Sequence, residues 1–179
     1  PESAARSVPL DHPYPERPKR LYFALTNHCN RVCPWCSTCS SPRGSTFLPV
    51  ETFRILLPST YPFHVQLEGG EPTVHPGFWE LVAAARTHPG CRRLVICTNG
   101  TLLPRCPDHL TAWLTRAGRP LTIKLSVNHH LLEHDAGLLD LACMLRDVAA
   151  AEGEDALQLV VNVRLRRGTA DDDRAVRAR

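Results

Sequence analysis

Short apolar segments alternate with helical patterns along the chain, and this alternation limits the fold more than any other feature of the sequence. We predict strands at residues 21–26, 64–67, 93–97, 121–127 and 157–165. We predict helices at residues 50–57, 76–87, 108–117 and 131–151, with another beginning near residue 170. Strands that alternate with helices pair in parallel through right-handed crossovers. Because the strands are apolar runs, we expect a sheet that is covered on both faces.

The length of the chain decides how far such a sheet can close. The 179 residues suffice for one domain with a sizeable core. A closed barrel of eight strand–helix units needs about 250 residues, so we expect an open sheet, either an incomplete barrel or a doubly wound sheet. We assign residues 1–18 to an extended, proline-rich leader and residues 19–179 to the domain. Asp108 is expected to cap the third helix, and Gly118 to end it.

Composition argues against several classes of function. The net charge is only +3, which does not predict binding to nucleic acid. No apolar run approaches the ~20 residues that a membrane-spanning helix needs. The first residues also lack the apolar stretch of a secretory signal peptide. We therefore expect no nucleic-acid partner, no membrane partner and a reducing, cytoplasmic location.

Eight cysteines in such a compartment indicate metal or redox chemistry rather than disulfides. Four of them lie within eleven residues directly after the first predicted strand, and they are Cys29, Cys33, Cys36 and Cys39. Four thiolates would suit a structural zinc ion or a closed iron–sulfur carrier, whereas three would leave one iron of a cluster open to a ligand. The spacing alone leaves both possibilities open. The other cysteines, Cys91, Cys97, Cys106 and Cys143, show no metal-ligand spacing, and Cys97 is expected to pack in the core.

Unusual turns follow the next three predicted strands. They are GGEP at residues 69–72, TNG at residues 98–100 and SVN at residues 126–128. Paired glycines let the backbone approach a ligand closely, and Pro72 stiffens its turn. Glu71 offers a carboxylate suited to an ammonium group. Because the carboxyl ends of parallel strands share one edge of a sheet, we expect these turns and the cysteine loop to converge on one site.

Five motifs in this order resemble the radical S-adenosylmethionine (SAM) superfamily over about residues 20–175. They are CNRVCPWC at residues 29–36, LEGGEP at residues 67–72, TNG at residues 98–100, LSVN at residues 125–128 and VNVRLRRG at residues 161–168. The resemblance implies an open, partial (β/α) barrel of five to six parallel strands. It also implies a [4Fe–4S] cluster held by Cys29, Cys33 and Cys36. The amino and carboxylate groups of SAM would chelate the fourth iron.

The same resemblance implies a set of residues that bind SAM. Glu71, with Gly69 and Gly70, matches the contact to the methionine amino group, and Trp35 the aromatic near the adenine. Ser126 and Asn128 match positions that reach the ribose or the carboxylate, although Asn128 stands where the family often has an acid. The full expected set is Trp35, Gly69, Gly70, Glu71, Pro72, Thr98, Asn99, Ser126, Asn128 and Asn162. Arg164 is a further candidate for contact with SAM or substrate.

The resemblance implies reductive cleavage of SAM to a 5′-deoxyadenosyl radical, which abstracts hydrogen from a small-molecule or peptide substrate. A flavodoxin- or ferredoxin-like protein would supply the electron. One alternative is an activase that installs a glycyl-type radical on a protein partner. Another is a non-enzymatic iron–sulfur or zinc module held by four cysteines, with Cys39 as the fourth ligand.

Some features stand outside these motifs. The family core usually has six strand–helix units, so a sixth unit is either absent, lost by truncation or supplied by another chain. No further cysteine cluster is present in the sequence, so auxiliary iron–sulfur clusters are not expected. His28 beside the cysteines is interpreted as a loop residue. His129, His130 and His134 are interpreted as solvated residues at the start of a helix rather than metal ligands.

Overall fold

The computed structural model describes residues 18–164, and these form one sheet of five parallel strands. The strands are β1 (Lys19–Ala24), β2 (Phe63–Glu68), β3 (Cys91–Thr98), β4 (Leu121–Asn128) and β5 (Leu157–Arg164). The helices are α1 (Val50–Leu56), α2 (Phe78–Thr87), α3 (Pro107–Ala117), α4 (His129–His134) and α5 (Leu138–Glu152), and a 3₁₀ turn covers Pro72–Val74. Almost all of the predicted leader, and the helix predicted near residue 170, lie outside the described residues.

The order of the strands in the sheet is the same as their order in the chain. Every neighbouring pair is parallel, and β1 and β5 are the two edges of the sheet in the described part of the chain. This arrangement confirms the α/β class and the open, partial barrel. All five strands end at the same edge, which brings together the loops that follow β1, β2, β3 and β4.

In the described part of the chain the two faces of the sheet differ in polarity, so the expectation that the strands are apolar runs without alternation is wrong. One face packs on the helices through side chains that are completely buried, including Val65, Leu67, Leu94, Ile96, Ile123 and Leu125. Each such side chain contributes about 1.5–3 kcal/mol by leaving water. The other face is polar: Lys124 Nζ donates to Gln66 Oε1 at 2.9 Å, and Gln66 also bonds Glu68. Cys97 is the register partner of Lys124 on this same face. Alternation along each strand therefore separates a core face from a face that lines a cavity.

The long helix predicted at residues 131–151 is two helices. The Asn128 side chain caps α4 by accepting a hydrogen bond from the Leu131 backbone N–H at 3.0 Å. Asp135 has φ −148° and ψ 86°, which ends α4, and α5 begins after Gly137. Leu131 and Leu138 are both buried, so the break lets each short helix turn its own apolar side to the sheet.

The start of α3 also differs from the prediction. Cys106 occupies the N-cap position without a side-chain hydrogen bond, and Pro107 is the first helical residue. Proline suits that position because the first N–H groups of a helix have no partner within the helix. Asp108 therefore lies in the first turn, where it complements the helix dipole. Gly118 ends the helix with φ 76°, as predicted.

Candidate functional site

One cavity of about 730 Å³ opens at the carboxyl edge of the sheet. Most of the predicted site residues line it, and these are Cys29, Cys33, Trp35, Cys36, Gly69, Gly70, Thr98, Asn99, Ser126, Asn128 and Asn162. The loop after β1 forms one wall, and the turns after β2 and β3 form another. The structure therefore brings together residues that lie more than a hundred positions apart in the sequence, as the topology predicts.

The cysteine loop divides its four thiols into two groups. Cys29 is buried and lines the cavity, as do the half-buried Cys33 and Cys36. Cys39 is exposed and is not part of the cavity wall. Its backbone has a left-handed conformation with φ 49°, and its N–H donates to the Cys36 carbonyl at 3.2 Å. Three sulfurs beside one open cavity fit an iron–sulfur cluster that leaves one iron accessible to a ligand.

The three cavity thiols have different electrostatic surroundings. Burial raises the pKa of Cys29 and of Cys33, and the neighbouring thiols add to the effect. Burial acts in the same direction on Cys36, but hydrogen bonds from Thr38 and Ser40 outweigh it and lower the pKa of Cys36. The Ser40 N–H donates to Cys36 Sγ at 3.3 Å, and Thr38 Oγ1 lies 3.3 Å from the same sulfur. Cys36 is thus the thiol best prepared to carry negative charge.

Glu71 lies behind the cavity wall rather than in it. Its side chain is 1% exposed, and Oε1 accepts hydrogen bonds from Thr98 Oγ1 at 2.8 Å and from the N–H and hydroxyl of Thr73. Oε2 accepts from the Asn99 N–H at 2.8 Å. Burial raises the pKa of Glu71, although these four donors favour the charged form. Neither Glu71 nor Pro72 lines the cavity, so the carboxylate connects the turn after β2 to the turn after β3.

The two glycines of the GGEP turn lie against the backbone of the cysteine loop. The Gly70 N–H donates to the Thr26 carbonyl at 2.6 Å, and the Glu71 N–H donates to the His28 carbonyl at 3.0 Å. A Cβ on Gly70 would lie 2.0 Å from the His28 carbonyl oxygen. Gly69 has φ +123°, and a Cβ there would lie 2.6 Å from the Thr26 oxygen. Only glycine permits this contact between the two loops.

The strands β4 and β5 supply the polar groups opposite the cysteine loop. Ser126 and Asn162 are register partners, and both line the cavity. Asn128 also lines it, but its side-chain oxygen already caps α4. Arg164 lines the cavity and donates a hydrogen bond to the Trp35 carbonyl at 3.2 Å. The far edge of the sheet therefore contacts the loop that carries the cysteines.

Asn99 connects the turn after β3 to the first cysteine. Its side-chain nitrogen donates to Asn30 Oδ1 at 2.9 Å and lies 3.7 Å from Cys29 Sγ. Its side-chain oxygen accepts from the hydroxyl and the N–H of Thr101. His28 lies in the loop after β1, as predicted, and its Nδ1 lies 2.9 Å from the Gly44 carbonyl oxygen.

Several residues of the cavity wall are not among those predicted from the sequence. Cys97 was expected in the core, yet it is half-buried and lines the cavity, and burial raises its pKa to about 11. Glu68 and Arg31 also line the cavity. The available signal was the period-two alternation of the strands, which puts Glu68 and Cys97 on the same face as Gln66. An apolar run hides that alternation when small or weakly polar residues occupy the cavity side.

A family model for the Radical SAM superfamily matches residues 23–134, which is more than half of the 179 residues. The chain belongs to the radical SAM superfamily. Enzymes of this family use a [4Fe–4S] cluster together with SAM. The residues present fit that pair, because three cysteine sulfurs and two closely packed glycines border one cavity.

Curated relatives include two enzymes named GTP 3′,8-cyclase. The one from Stenotrophomonas maltophilia is 28% identical over 162 residues, which cover 86% of this chain and 48% of that protein. The one from Chlorobaculum tepidum is 38% identical over 91 residues, which cover 49% of this chain and 28% of that protein. Mycofactocin maturase MftC from Mycobacterium tuberculosis is 37% identical over 76 residues, covering 41% and 19% of the two chains. The chain thus spans less than half the length of these relatives.

A solved structure shares the fold. It is the crystal structure of BtrN in complex with AdoMet and 2-DOIA, with a TM-score of 0.55 and 17% sequence identity. The match covers 82% of this chain and 57% of BtrN. Separately, none of the helices within residues 18–164 is long and apolar enough to cross a membrane.

Proposed function

We propose that this chain cleaves SAM reductively at a cluster held by Cys29, Cys33 and Cys36 and abstracts hydrogen from a small-molecule or peptide substrate. The observation that carries the proposal is the separation of the four clustered thiols. Three of them border the cavity, and Cys39 does not. A four-cysteine zinc or electron-transfer module would need Cys39 beside the other three.

The cluster would supply an electron to the SAM sulfonium and so release a carbon radical. The protein then has to hold SAM in one orientation and keep water out. Gly69 and Gly70 offer backbone to the methionine end, since both border the cavity on the side of the cysteines. Ser126 and Asn162 would offer polar groups to the ribose, and Trp35 would cover the cluster with apolar surface, since all three line the cavity.

We assign Glu71 a positioning role rather than direct contact with SAM. Its two oxygens are occupied by four donors from the turns after β2 and β3. The turn with Gly69 and Gly70 is thereby fixed relative to Thr98 and Asn99. The methionine amino group would then meet acceptors of the cavity wall, such as the Gly69 and Gly70 backbone or the Glu68 carboxylate.

Substitution of Glu71 by glutamine distinguishes a positioning role of this residue from direct contact with SAM. An amide directs N–H groups at some of the present donors, so we expect the free energy of unfolding to fall by about 1–3 kcal/mol for each buried donor left unsatisfied. Chemical denaturation monitored by circular dichroism measures this loss. The matched control is Glu68→Gln, which changes a carboxylate of the cavity wall and should leave stability near that of the wild type. Wild-type stability combined with loss of SAM binding in Glu71→Gln would instead indicate direct contact.

Anaerobic assay of the cluster-loaded protein tests the proposed reaction. With dithionite as the electron source, we expect SAM to yield 5′-deoxyadenosine and methionine, detected by mass spectrometry. Absence of deoxyadenosine from protein with a full cluster and bound SAM would overturn the proposal. If cleavage appears only after a protein partner is added, the activase alternative is supported instead.

The same assay can address the electron donor and the substrate. Replacing dithionite by a reduced flavodoxin or ferredoxin tests the proposed physiological donor. GTP is a suitable first substrate to add, because two relatives are named for a GTP cyclisation. A precursor peptide is the second, because MftC is named as a maturase. A cytoplasmic location is part of the proposal, since a reducing compartment preserves the thiols and the cluster.

A further inference from the structure

Three potential metal ligands lie together on α4, outside the cysteine site. His130, Glu133 and His134 occupy positions i, i+3 and i+4, which share one face of a helix. One ligand atom from each residue lies within 4.8 Å of the other two. The pattern H-x-x-E-H occurs in helical zinc motifs, where the two histidines bind the metal and the glutamate acts as a base; here the Glu133 carboxylate lies close enough to be a third ligand.

The orientation of His134 favours metal binding. Its Nδ1 lies 2.8 Å from the His130 carbonyl oxygen. A carbonyl oxygen only accepts, so Nδ1 must carry the proton, and Nε2 of the neutral ring is left with its lone pair. Metal-binding histidines commonly use this arrangement, in which one ring nitrogen donates to a carbonyl and the other coordinates. The rings of His130 and His134 are 4.5 Å apart.

The three potential ligands on α4 lie at the rim of the cavity. The His130 ring meets the Trp35 ring edge-on, with their centres 6.1 Å apart. Trp35 lines the cavity, as does Leu131, the residue after His130. Glu133 also accepts from His129 Nε2 at 2.8 Å through Oε1, which leaves Oε2 available for a second interaction.

The geometry points to a divalent transition-metal site of the zinc type, with His130, Glu133 and His134 as ligands. Two imidazole nitrogens and one carboxylate oxygen are a common ligand set for Zn²⁺. Three protein ligands leave a coordination position open for water or for an oxygen of a bound molecule. The metal would also fix α4, a helix of only six residues, beside Trp35. This inference is independent of the proposed reaction, because it involves none of the cysteines.

Isothermal titration of the cluster-loaded, full-length chain with Ni²⁺ tests the site, because Ni²⁺ also suits imidazole ligands and the cluster occupies the cavity thiols. We expect the wild type to bind one Ni²⁺ at this site. His134→Ala and Glu133→Gln should each weaken binding by about tenfold or more. The matched control is His109→Ala, since His109 is exposed and belongs to a different helix, α3.

Weaker binding in His134→Ala and Glu133→Gln, with wild-type affinity in His109→Ala, supports the site. Wild-type affinity in His134→Ala, or an equal loss in His109→Ala, overturns it. Both histidines and the glutamate have substantial exposure, so folding of each variant is checked by circular dichroism. Cleavage of SAM plays no part in the readout, so failure here leaves the proposed function standing.

Discussion

Replacing Cys29, Cys33 or Cys36 with alanine, one at a time, should abolish the iron–sulfur cluster, whereas Cys39→Ala should leave it intact. The three cavity thiols have no substitute within the described cavity wall apart from Cys97, which lies on β3 in a different element. Cys39 is exposed and outside that wall. Iron and sulfide content after anaerobic reconstitution, together with the visible absorption of the cluster, measures the effect.

Cys106→Ala is the matched control for Cys39→Ala, because both thiols are exposed and Cys106 lies at the start of α3. Both variants should retain full iron and sulfide. Loss of the cluster in Cys39→Ala alone would show that four thiols hold the metal. The four-cysteine module would then replace the radical enzyme as the better interpretation.

Substituting alanine at Gly70 should prevent the cysteine loop and the GGEP turn from packing together. The new Cβ would lie 2.0 Å from the His28 carbonyl oxygen. That carbonyl accepts the Glu71 N–H at 3.0 Å, so relieving the clash would break a connection between the loops. Overpacking typically costs about 1–3 kcal/mol, and more where the neighbouring atoms are backbone and cannot move aside. We expect a large drop in thermal stability and failure to assemble the cluster.

Gly137→Ala provides the control for this substitution. The nearest atom to a Cβ at Gly137 is Asp135 Oδ1 at 3.7 Å, which is ordinary contact. Its φ of −82° suits any residue. We expect the free energy of unfolding of that variant to lie within about 0.5 kcal/mol of the wild-type value. Equal stability of the Gly70 and Gly137 variants would contradict the close packing on which the account of the site depends.

The topology was predictable because strand and helix patterns differ in period, and alternating units have few arrangements. The position of the site was predictable for the same reason. Parallel strands end at one edge, so the cysteine loop and the turns after β2, β3 and β4 had to meet there. Residues in the loops directly after the strands, such as Cys29 and Gly69, are therefore the ones whose position in the site can be predicted from the sequence.

Other features depend on contacts that no local pattern records. Glu71 was expected to face a ligand, and only the positions of Thr98 and Asn99 in space show that its oxygens are occupied. The break between α4 and α5 depends on burying Leu131 and Leu138 against the sheet. Cys97 looked like core because its neighbours Val95 and Ile96 are apolar and buried. Tertiary packing decided each of these cases.

Hydrogen bonds between the loops around the cavity hold these loops in fixed positions relative to one another. Hydrogen bonds from the GGEP turn to the Thr26 and His28 carbonyls fix the cysteine loop to β2. The Glu71 carboxylate then fixes the same turn to β3. Movement of any one loop would disturb the others, so the three sulfurs and the two glycines keep one relative arrangement. Such preorganisation is what a site needs if it is to hold a reactive molecule in a single orientation.

Electron paramagnetic resonance of the reduced, cluster-loaded protein shows whether SAM binds an iron that the three cysteines leave open. Binding of SAM to an open iron changes the ligands of the cluster, so the spectrum should change when SAM is added to the wild type and to Cys39→Ala alike. A spectrum of a reduced cluster that stays the same at saturating SAM would contradict the account, because every iron would then already be held by the protein.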